Sequence, residues 1–258
     1  SDVCSSDLRR EDFFNIFNQN SVLYLGNIFL FQMEKAAPRG LIFKKNGYNN
    51  IVMFRRKCKV TFIAHGSTIN SEENRLYDDE THPPLNANGK VEIEKISKWL
   101  NAKGLKTDRI YSCSALRCIQ SAQILSEILG CPFETTQELR SRKAGLWSGL
   151  TFAQIEEKYK DELEKYHKDR KNFWVKGGET TLELNERVSS ALSRIVEENI
   201  GKRIIIVTHP EIIQTAVSIA LSIPVENQFR IYTPTGSATQ ISYYSDWSSL
   251  VYSAYVPL

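Results

Sequence analysis

Residues 203–211 read RIIIVTHPE, and this stretch decides the fold. After Arg203, four apolar residues follow one another without a polar interruption. Such a run predicts a strand that helices cover on both faces, as in the centre of a parallel sheet. Pro210 suits the first position of a helix, so a helix is expected to begin directly after the strand. The stretch therefore predicts an α/β fold with this strand at its centre.

The same order of strand and helix is found on the N-terminal side. Residues 59–64 (KVTFIA) predict a buried strand, and residues 88–100 predict an amphipathic helix. Residues 109–113 predict a second strand, and residues 115–129 predict a helix that Gly130 ends. This alternation is typical of parallel strands joined by helices.

The C-terminal part completes the pattern. Residues 152–166 and 181–197 each have the apolar spacing of a helix, and residues 175–178 form a loop between them. A last pair of strands is predicted near residues 238–244 and 250–255. The whole order predicts a three-layer α/β/α sandwich with a mostly parallel central sheet.

Residues 1–52 differ from the rest of the chain because they show no sustained helical or strand periodicity. Residues 1–8 (SDVCSSDL) resemble the translation of a sequencing-library adapter. We expect residues 1–52 to be a non-native or disordered leader, residues 53–258 to form the domain, and Met53 to be the native start. The alternative is a genuine N-terminal extension.

Composition excludes several classes of protein. The 258 residues are 41% hydrophobic and 24% charged, and the formal net charge of +3 is too small to predict a nucleic-acid surface. The longest apolar run, residues 22–31, is about half the roughly 20 residues that a membrane helix needs. The five cysteines have no spacing typical of a disulfide framework or a zinc site. We expect a cytoplasmic protein that binds neither nucleic acid nor membrane.

Two histidines stand at the ends of predicted strands. His65 follows residues 59–64 and His209 follows the central strand, and ligands of open α/β sheets bind outside these carboxyl ends. Gly66 would let another group approach the backbone, and the Thr68 hydroxyl would form local hydrogen bonds, a combination that suits a phosphate. The alternative for each histidine is a structural role, with its ring satisfied by backbone groups.

Arg117 lies near the start of the helix predicted for residues 115–129. A guanidinium beside the free N–H groups of a helix N-terminus is suited to bind phosphate. The alternative is a surface arginine on an amphipathic helix. With His65 and His209, Arg117 predicts a phosphate site.

Six short segments follow one another in a fixed order. They are FIAHGST (62–68), PLNANG (84–89), SCSALRCIQSA (112–122), GLWSGLT (145–151), GGE (177–179) and VTH (207–209). Together they resemble the histidine phosphatase superfamily, the phosphoglycerate mutase-like proteins. The resemblance implies that His65 is a nucleophile that becomes phosphohistidine, and that Arg117 and His209 hold the phosphoryl oxygens. It implies no metal and no other cofactor.

Two positions depart from the family pattern. The family usually has an arginine directly before its nucleophilic histidine, where this chain has Ala64, and its acid usually follows a Leu-Arg pair, where this chain has Ser141. A serine cannot donate a proton at neutral pH as a carboxylic acid can. Another cation could replace the missing arginine, and the candidates, each otherwise a solvated surface charge, are Arg75, Arg142 and Lys143.

Glu211 is the candidate for the missing proton donor. Its spacing from His209 resembles the His-Ala-Glu motif of another branch of the superfamily, the inositol polyphosphate phosphatases, in which the glutamate donates the proton. The alternative is an ordinary acidic residue in the first turn of a helix, where it complements the helix dipole.

Three functions remain open at this point. The first is a phosphomonoester hydrolase, of full or attenuated activity, that acts on a small phosphorylated metabolite through a phosphohistidine. The second is a catalytically silent protein that binds a phosphorylated ligand or a protein partner. A phosphate-free interaction domain is least favoured, because His65, Arg117 and His209 all stand at the family positions. The substrate and the oligomeric state stay open.

Overall fold

The computed structural model describes residues 41–45, 51–77, 82–104 and 106–257, with no side chains described for residues 41–45 and 51–57. The chain divides into two units, Ser1–Arg39, which lies outside the described residues, and Gly40–Leu258. The second unit contains the fold.

Within the described residues, one mixed sheet has seven strands. They are β1 (Leu41–Lys45), β2 (Ile51–Ala64), β3 (Arg109–Cys113), β4 (Phe133–Thr136), β5 (Arg203–Thr208), β6 (Ala238–Tyr244) and β7 (Ser248–Tyr255). The helices are α1 (Ile69–Glu72), α2 (Ala87–Ala102), α3 (Leu116–Leu129), α4 (Phe152–Lys158), α5 (Lys160–Lys168), α6 (Thr181–Glu198) and α7 (Pro210–Ala220), with 3-10 turns at Gly145–Trp147 and Val225–Arg230.

The strand order is β4-β3-β5-β2-β6-β7, and β1 pairs with β2. The pairs β4/β3, β3/β5 and β5/β2 are parallel, whereas the pairs β2/β6 and β6/β7 are antiparallel. The central position predicted for residues 203–207 is confirmed, because β5 lies between β3 and β2. The carboxyl ends of β2, β3 and β5 therefore meet at one edge of the sheet.

Strand β5 is apolar because both of its faces are covered. Ile204 and Ile206 pack in a core with residues of α6 and α7, while Ile205 and Val207 pack in a second core with residues of α2 and α3. Alternate side chains of a strand point to opposite faces, so a strand between two helical layers needs apolar residues at every position. This arrangement confirms the three-layer α/β/α sandwich.

The largest difference from the predicted helices lies at residues 152–166. The prediction of a single helix over residues 152–166 is wrong, because the chain forms two helices, α4 and α5. The break between them lies at Tyr159, whose φ and ψ are −133° and 40°. Residues of both helices, Ile155 and Leu163, pack in the core cluster of the buried Trp147. The break lets two short helices, rather than one straight helix, place apolar side chains in this cluster.

The strand pair β1/β2 extends into the segment predicted as a leader. Leu41–Lys45 pairs with residues 51–55 in the antiparallel direction. Residues 1–40 and 46–50 lie outside the described residues, and the non-native origin of residues 1–52 stays a prediction. Among the described residues, no helix has both the length and the apolar character needed to cross a bilayer.

Candidate active site

His65 is held between the ends of two neighbouring strands. It follows β2 directly, its backbone N–H donates to the Thr208 carbonyl at 2.9 Å, and its own carbonyl accepts from the Gly236 N–H at 3.0 Å. Only 2% of its surface is exposed. The backbone of His65 is therefore fixed at the edge of the sheet where β2 and β5 end.

The His65 ring has a defined tautomer. Its Nδ1 lies 2.9 Å from the Gly66 carbonyl oxygen. A carbonyl oxygen can only accept a hydrogen bond, so Nδ1 carries a hydrogen, and in the neutral form of the ring Nε2 carries the lone pair. Nε2 is thus the nitrogen that can act as a nucleophile.

Gly66 lies directly against the N-terminal turn of α2. A Cβ atom at position 66 would come within 2.7 Å of the Gly89 carbonyl carbon, and a Cβ atom at position 89 would meet the Ser67 backbone equally closely. The close approach expected at Gly66 is confirmed, and the group that approaches is the backbone of Gly89. The Gly66 N–H donates to the Ser121 hydroxyl at 3.2 Å.

Thr68 is fully buried and caps the short helix α1. Its Oγ1 accepts from the Ser71 N–H at 3.2 Å, which confirms the expected local hydrogen bonding. The same oxygen lies 3.3 Å from the Tyr77 hydroxyl. The phosphate contacts predicted for Gly66 and Thr68 stay predictions.

Arg117 is fully buried in the first turn of α3. Its Nη2 lies 3.2 Å from Nδ1 of His209, and its guanidinium lies 4.6 Å from the centroid of the Tyr77 ring. The alternative interpretation of Arg117 as a surface arginine is wrong, because the helix turns this side chain inward. A buried positive charge at the N-terminal end of a helix is a strong anion-binding feature.

His209 lies at the N-cap of α7, where β5 ends. Burial lowers its pKa well below the usual value, and the nearby charges of Arg117 and His65 lower it further. The imidazole is therefore neutral at neutral pH. Because an arginine can only donate, Nδ1 accepts from Arg117 and the hydrogen is on Nε2, which lies 3.2 Å from Cys113 Sγ. The His65 and His209 rings are 5.3 Å apart at 68°.

The structure thus brings His65, Arg117 and His209 together and adds two residues that sequence reasoning missed. Cys113 ends β3, and Cys118 lies in the first turn of α3 with its Sγ 3.8 Å from His209 Nε2. The sequence carried one signal for them, since both lie in the motif segment around Arg117. Local cysteine spacing could not show that they meet a histidine more than ninety residues away.

Glu211 is not brought into this cluster. Its Oε1 lies 3.0 Å from Nε of Arg142, and the two side chains line one cavity with Tyr166 and Arg170. His65, Arg117 and His209 are not among the residues that line this cavity. The role of Glu211 as proton donor stays a prediction, and it would require the pair with Arg142 to open.

Two of the three candidate substitute cations, Arg142 and Arg75, have hydrogen-bond partners outside the cluster of His65, Arg117 and His209. Arg142 is buried, so the interpretation of it as a solvated surface charge is wrong, and its Nη2 donates to the Thr181 hydroxyl at 3.0 Å. Arg75 donates to the Gly149 carbonyl at 3.0 Å. Lys143 is exposed, as expected for a solvated charge.

Ser141 occupies the position at which the family has its acid. The segment around it is held by its backbone: the Leu139 carbonyl accepts from the Thr208 hydroxyl at 2.8 Å, and the Ser141 carbonyl accepts from Arg140 at 2.9 Å. Arg187 reaches the Glu138 carbonyl at 2.8 Å as well. The segment keeps a fixed path although the carboxylate is replaced.

Known proteins share both the sequence pattern and the fold. The family model described as histidine phosphatase superfamily (branch 1) matches residues 60–254. The chain belongs to this family. Among its curated relatives, phosphoglycerate mutase-like protein 4 of Arabidopsis thaliana is 26% identical over 160 residues, covering 61% of this chain and 69% of the relative.

Two solved structures show the same fold for this histidine phosphatase family member. The α-ribazole phosphatase of Shigella flexneri has a TM-score of 0.68 at 17% identity, covering 76% of this chain and 96% of its own. The mycobacterial glucosyl-3-phosphoglycerate phosphatase has a TM-score of 0.67 at 20% identity, covering 76% and 98%. The phosphoglycerate mutase-like fold expected from the sequence is confirmed.

Proposed function

We propose that this chain is a phosphomonoester hydrolase that acts on a small phosphorylated metabolite through a phosphohistidine at His65. The observation that carries the proposal is the convergence of His65, Arg117 and His209 at the edge of the sheet where β2 and β5 end. A nucleophile beside a buried fixed cation is what covalent phosphoryl transfer requires.

In the proposed first step, Nε2 of His65 forms a bond to phosphorus while the bond from phosphorus to the leaving oxygen breaks. The leaving oxygen takes a proton from a donor, for which Glu211 is our candidate. In the second step, water attacks phosphorus and gives a proton to the carboxylate that the donor has become, while the P–N bond breaks and the electron pair returns to Nε2. The Gly66 carbonyl holds the Nδ1 hydrogen throughout and keeps the ring in the reactive tautomer.

Arg117 would stabilise the charge on the transferred phosphoryl group. Its guanidinium is fully buried, and a charge–charge interaction is stronger in such a site than in water. His209 contacts both the Arg117 guanidinium and the His65 ring, so it can fix their mutual orientation. On this basis we assign Arg117 to the phosphoryl oxygens, and His209 to them through its Nε2–H, which would have to turn from Cys113 toward the phosphate.

The two departures from the family predict an attenuated enzyme. Ala64 supplies no charge and is fully buried, and Ser141 supplies no carboxyl group. Losing one charged contact to a transition state commonly lowers the rate roughly 10²- to 10³-fold, so both losses together would leave slow turnover.

A catalytically silent protein that binds a phosphorylated ligand or a protein partner is the second candidate. The specific observation in its favour is that Glu211 is paired with Arg142. A protein without a proton donor would bind phosphate at Arg117 and His209 but would not turn over esters with poor leaving groups.

The substrate class follows from chemistry and from the names of the similar proteins. A phosphoglycerate mutase-like protein, an α-ribazole phosphatase and a glucosyl-3-phosphoglycerate phosphatase all support a small phosphorylated metabolite. A mutase must retain the phosphoryl group taken from its substrate, which the missing arginine at position 64 makes less favourable. The described cysteines are reduced thiols, which supports a cytoplasmic location.

The test is to trap the covalent intermediate on the full chain. Protein incubated with ³²P-labelled substrates and quenched in alkali should carry base-stable, acid-labile phosphate, and His65→Ala should carry none. His167→Ala is the matched control, since His167 is exposed on α5 and should leave the label unchanged. Label that persists in His65→Ala would contradict the proposal. Vanadate binding to the wild type without any label would favour the silent protein.

A further inference from the structure

Three soft donor atoms meet at the edge of the candidate site. Cys113 Sγ lies 3.2 Å from His209 Nε2, Cys118 Sγ lies 3.8 Å from it, and the three atoms all lie within 4.8 Å of one another. All three residues are buried. They come from the end of β3, the first turn of α3 and the end of β5, so the sheet and the turn between Cys113 and Cys118 hold them in place.

The two sulfur–nitrogen distances are close to those between two ligand atoms of one metal ion. Zinc binds sulfur at about 2.3 Å and nitrogen at about 2.0–2.1 Å in tetrahedral geometry, which separates the ligand atoms from one another by roughly 3.5–3.8 Å. The two sulfur–nitrogen distances, 3.2 and 3.8 Å, lie close to this range.

The type of donor selects the type of metal. Two thiolates and one imidazole suit zinc, cadmium and other thiophilic ions, whereas magnesium and calcium prefer oxygen ligands. Binding a divalent ion to two cysteines releases two protons and leaves the two sulfurs and the ion neutral as a group. We propose that Cys113, Cys118 and His209 form a binding site for one thiophilic divalent metal ion.

The site and the contact between Arg117 and His209 exclude each other. A metal at Nε2 needs the lone pair of that nitrogen, so the ring hydrogen moves to Nδ1, which then can no longer accept from Arg117. A bound metal therefore takes His209 away from Arg117. This last consequence rests on the proposed function: the metal would weaken phosphate binding, because it occupies the Nε2 of His209 that would otherwise donate to a phosphoryl oxygen.

Metal binding can be tested without any enzymatic activity. Reduced full-length chain is titrated with Co²⁺, and the sulfur-to-cobalt charge-transfer absorption should saturate at one equivalent. Cys113→Ser and Cys118→Ser should each remove most of this absorption. Cys131→Ser is the matched control, because Cys131 is a buried thiol that is not part of the cluster. Absorption that is absent in the wild type, or unchanged in both cluster variants, would overturn the site.

A second measurement does not depend on how the variants fold. X-ray absorption at the zinc edge of the wild-type chain, loaded with one equivalent of Zn²⁺, should show two sulfur ligands at about 2.3 Å and nitrogen at about 2.0 Å. A shell of oxygen and nitrogen alone would contradict the proposal.

The consequence for phosphate is tested separately. The zinc-loaded chain should bind vanadate about tenfold more weakly than the zinc-free chain, because it has lost one hydrogen bond to a charged ligand. Vanadate that fails to bind either form would count against the proposed function, while the spectroscopic result for the metal would stand. Equal vanadate affinity of both forms would contradict the predicted effect of the metal on phosphate binding.

Discussion

Arg187 binds Glu179 through two hydrogen bonds, Nε to Oε1 and Nη2 to Oε2, each 2.8 Å long. The same guanidinium donates to the carbonyls of Glu138 and Arg140 at 2.8 and 3.2 Å. Glu179 therefore fixes an arginine that holds the backbone next to Ser141. Through Glu179, the GGE motif helps to hold the backbone of the segment in which the family has its acid.

The first prediction concerns this pair. Burial alone would raise the pKa of Glu179, but Arg187 and Arg140 outweigh burial and hold it below the usual 4.5. A carboxyl with a lowered folded-state pKa stabilises the fold above its unfolded-state pKa, and this contribution disappears as the pH falls through the folded-state pKa. Glu179→Gln should therefore reduce the free energy of unfolding by about 1–3 kcal/mol at pH 7 and by much less in acid.

Urea denaturation of the wild type and Glu179→Gln at both pH values checks this. Glu186→Gln is the control, since Glu186 is exposed on the same helix, α6, and should leave the free energy of unfolding almost unchanged at both pH values. A difference between wild type and Glu179→Gln that stays the same from pH 7 down to strongly acidic pH would contradict the electrostatic explanation.

The second prediction concerns Arg117. Arg117→Met keeps much of the length of the side chain and removes the charge, so kcat/KM for any phosphate ester turned over should fall roughly 10²- to 10³-fold. Arg109→Met, which changes an exposed arginine on β3, should have little effect. Loss of thermal stability without loss of kcat/KM in Arg117→Met would show that Arg117 has only a structural role.

The third prediction concerns Tyr77, whose ring covers the Arg117 guanidinium. A phosphate that reaches the guanidinium through the face that the ring covers must displace this cation–π contact, which contributes on the order of 1 kcal/mol. Tyr77→Ala should therefore tighten vanadate inhibition about fivefold, while Tyr77→Phe, which keeps the ring, should change it little. Weaker vanadate inhibition in Tyr77→Ala would mean that the ring helps to hold the ligand.

The fourth prediction concerns Glu211. If Glu211 is the proton donor, Glu211→Gln should strongly lower turnover of substrates with poor leaving groups and spare p-nitrophenyl phosphate, whose leaving group hardly needs a proton. Glu226→Gln is the control, because Glu226 lines the same cavity. Equal losses on both kinds of substrate, or no loss on either, would leave Glu211 only as the partner of Arg142.

Much of the fold could be predicted because it depends on continuous apolar runs. Residues 109–113 form exactly the strand expected, and β5 differs from the prediction by one residue. Strand β4 (FETT) was not predicted, since its side chains are partly or fully exposed at the sheet edge and carry no apolar pattern. The break at Tyr159 was missed because no glycine or proline marks it in the sequence.

The candidate site was predictable where it depends on strand ends. His65 and His209 follow β2 and β5, and parallel neighbours must end at the same edge. The burial of Arg142 and its pairing with Glu211 were not predictable, because both depend on a cavity formed by distant segments. The same holds for the convergence of Cys113 and Cys118 with His209.

The contact between Gly66 and Gly89 joins two backbones with no side chain between them. A clash between side chains can be relieved by shortening either one, but here neither partner has anything left to remove. The two positions therefore depend on each other, and no change at one glycine can relieve a substitution at the other. A library randomised at either position should return only the parental residue, so altered substrate preference must be sought elsewhere in the chain.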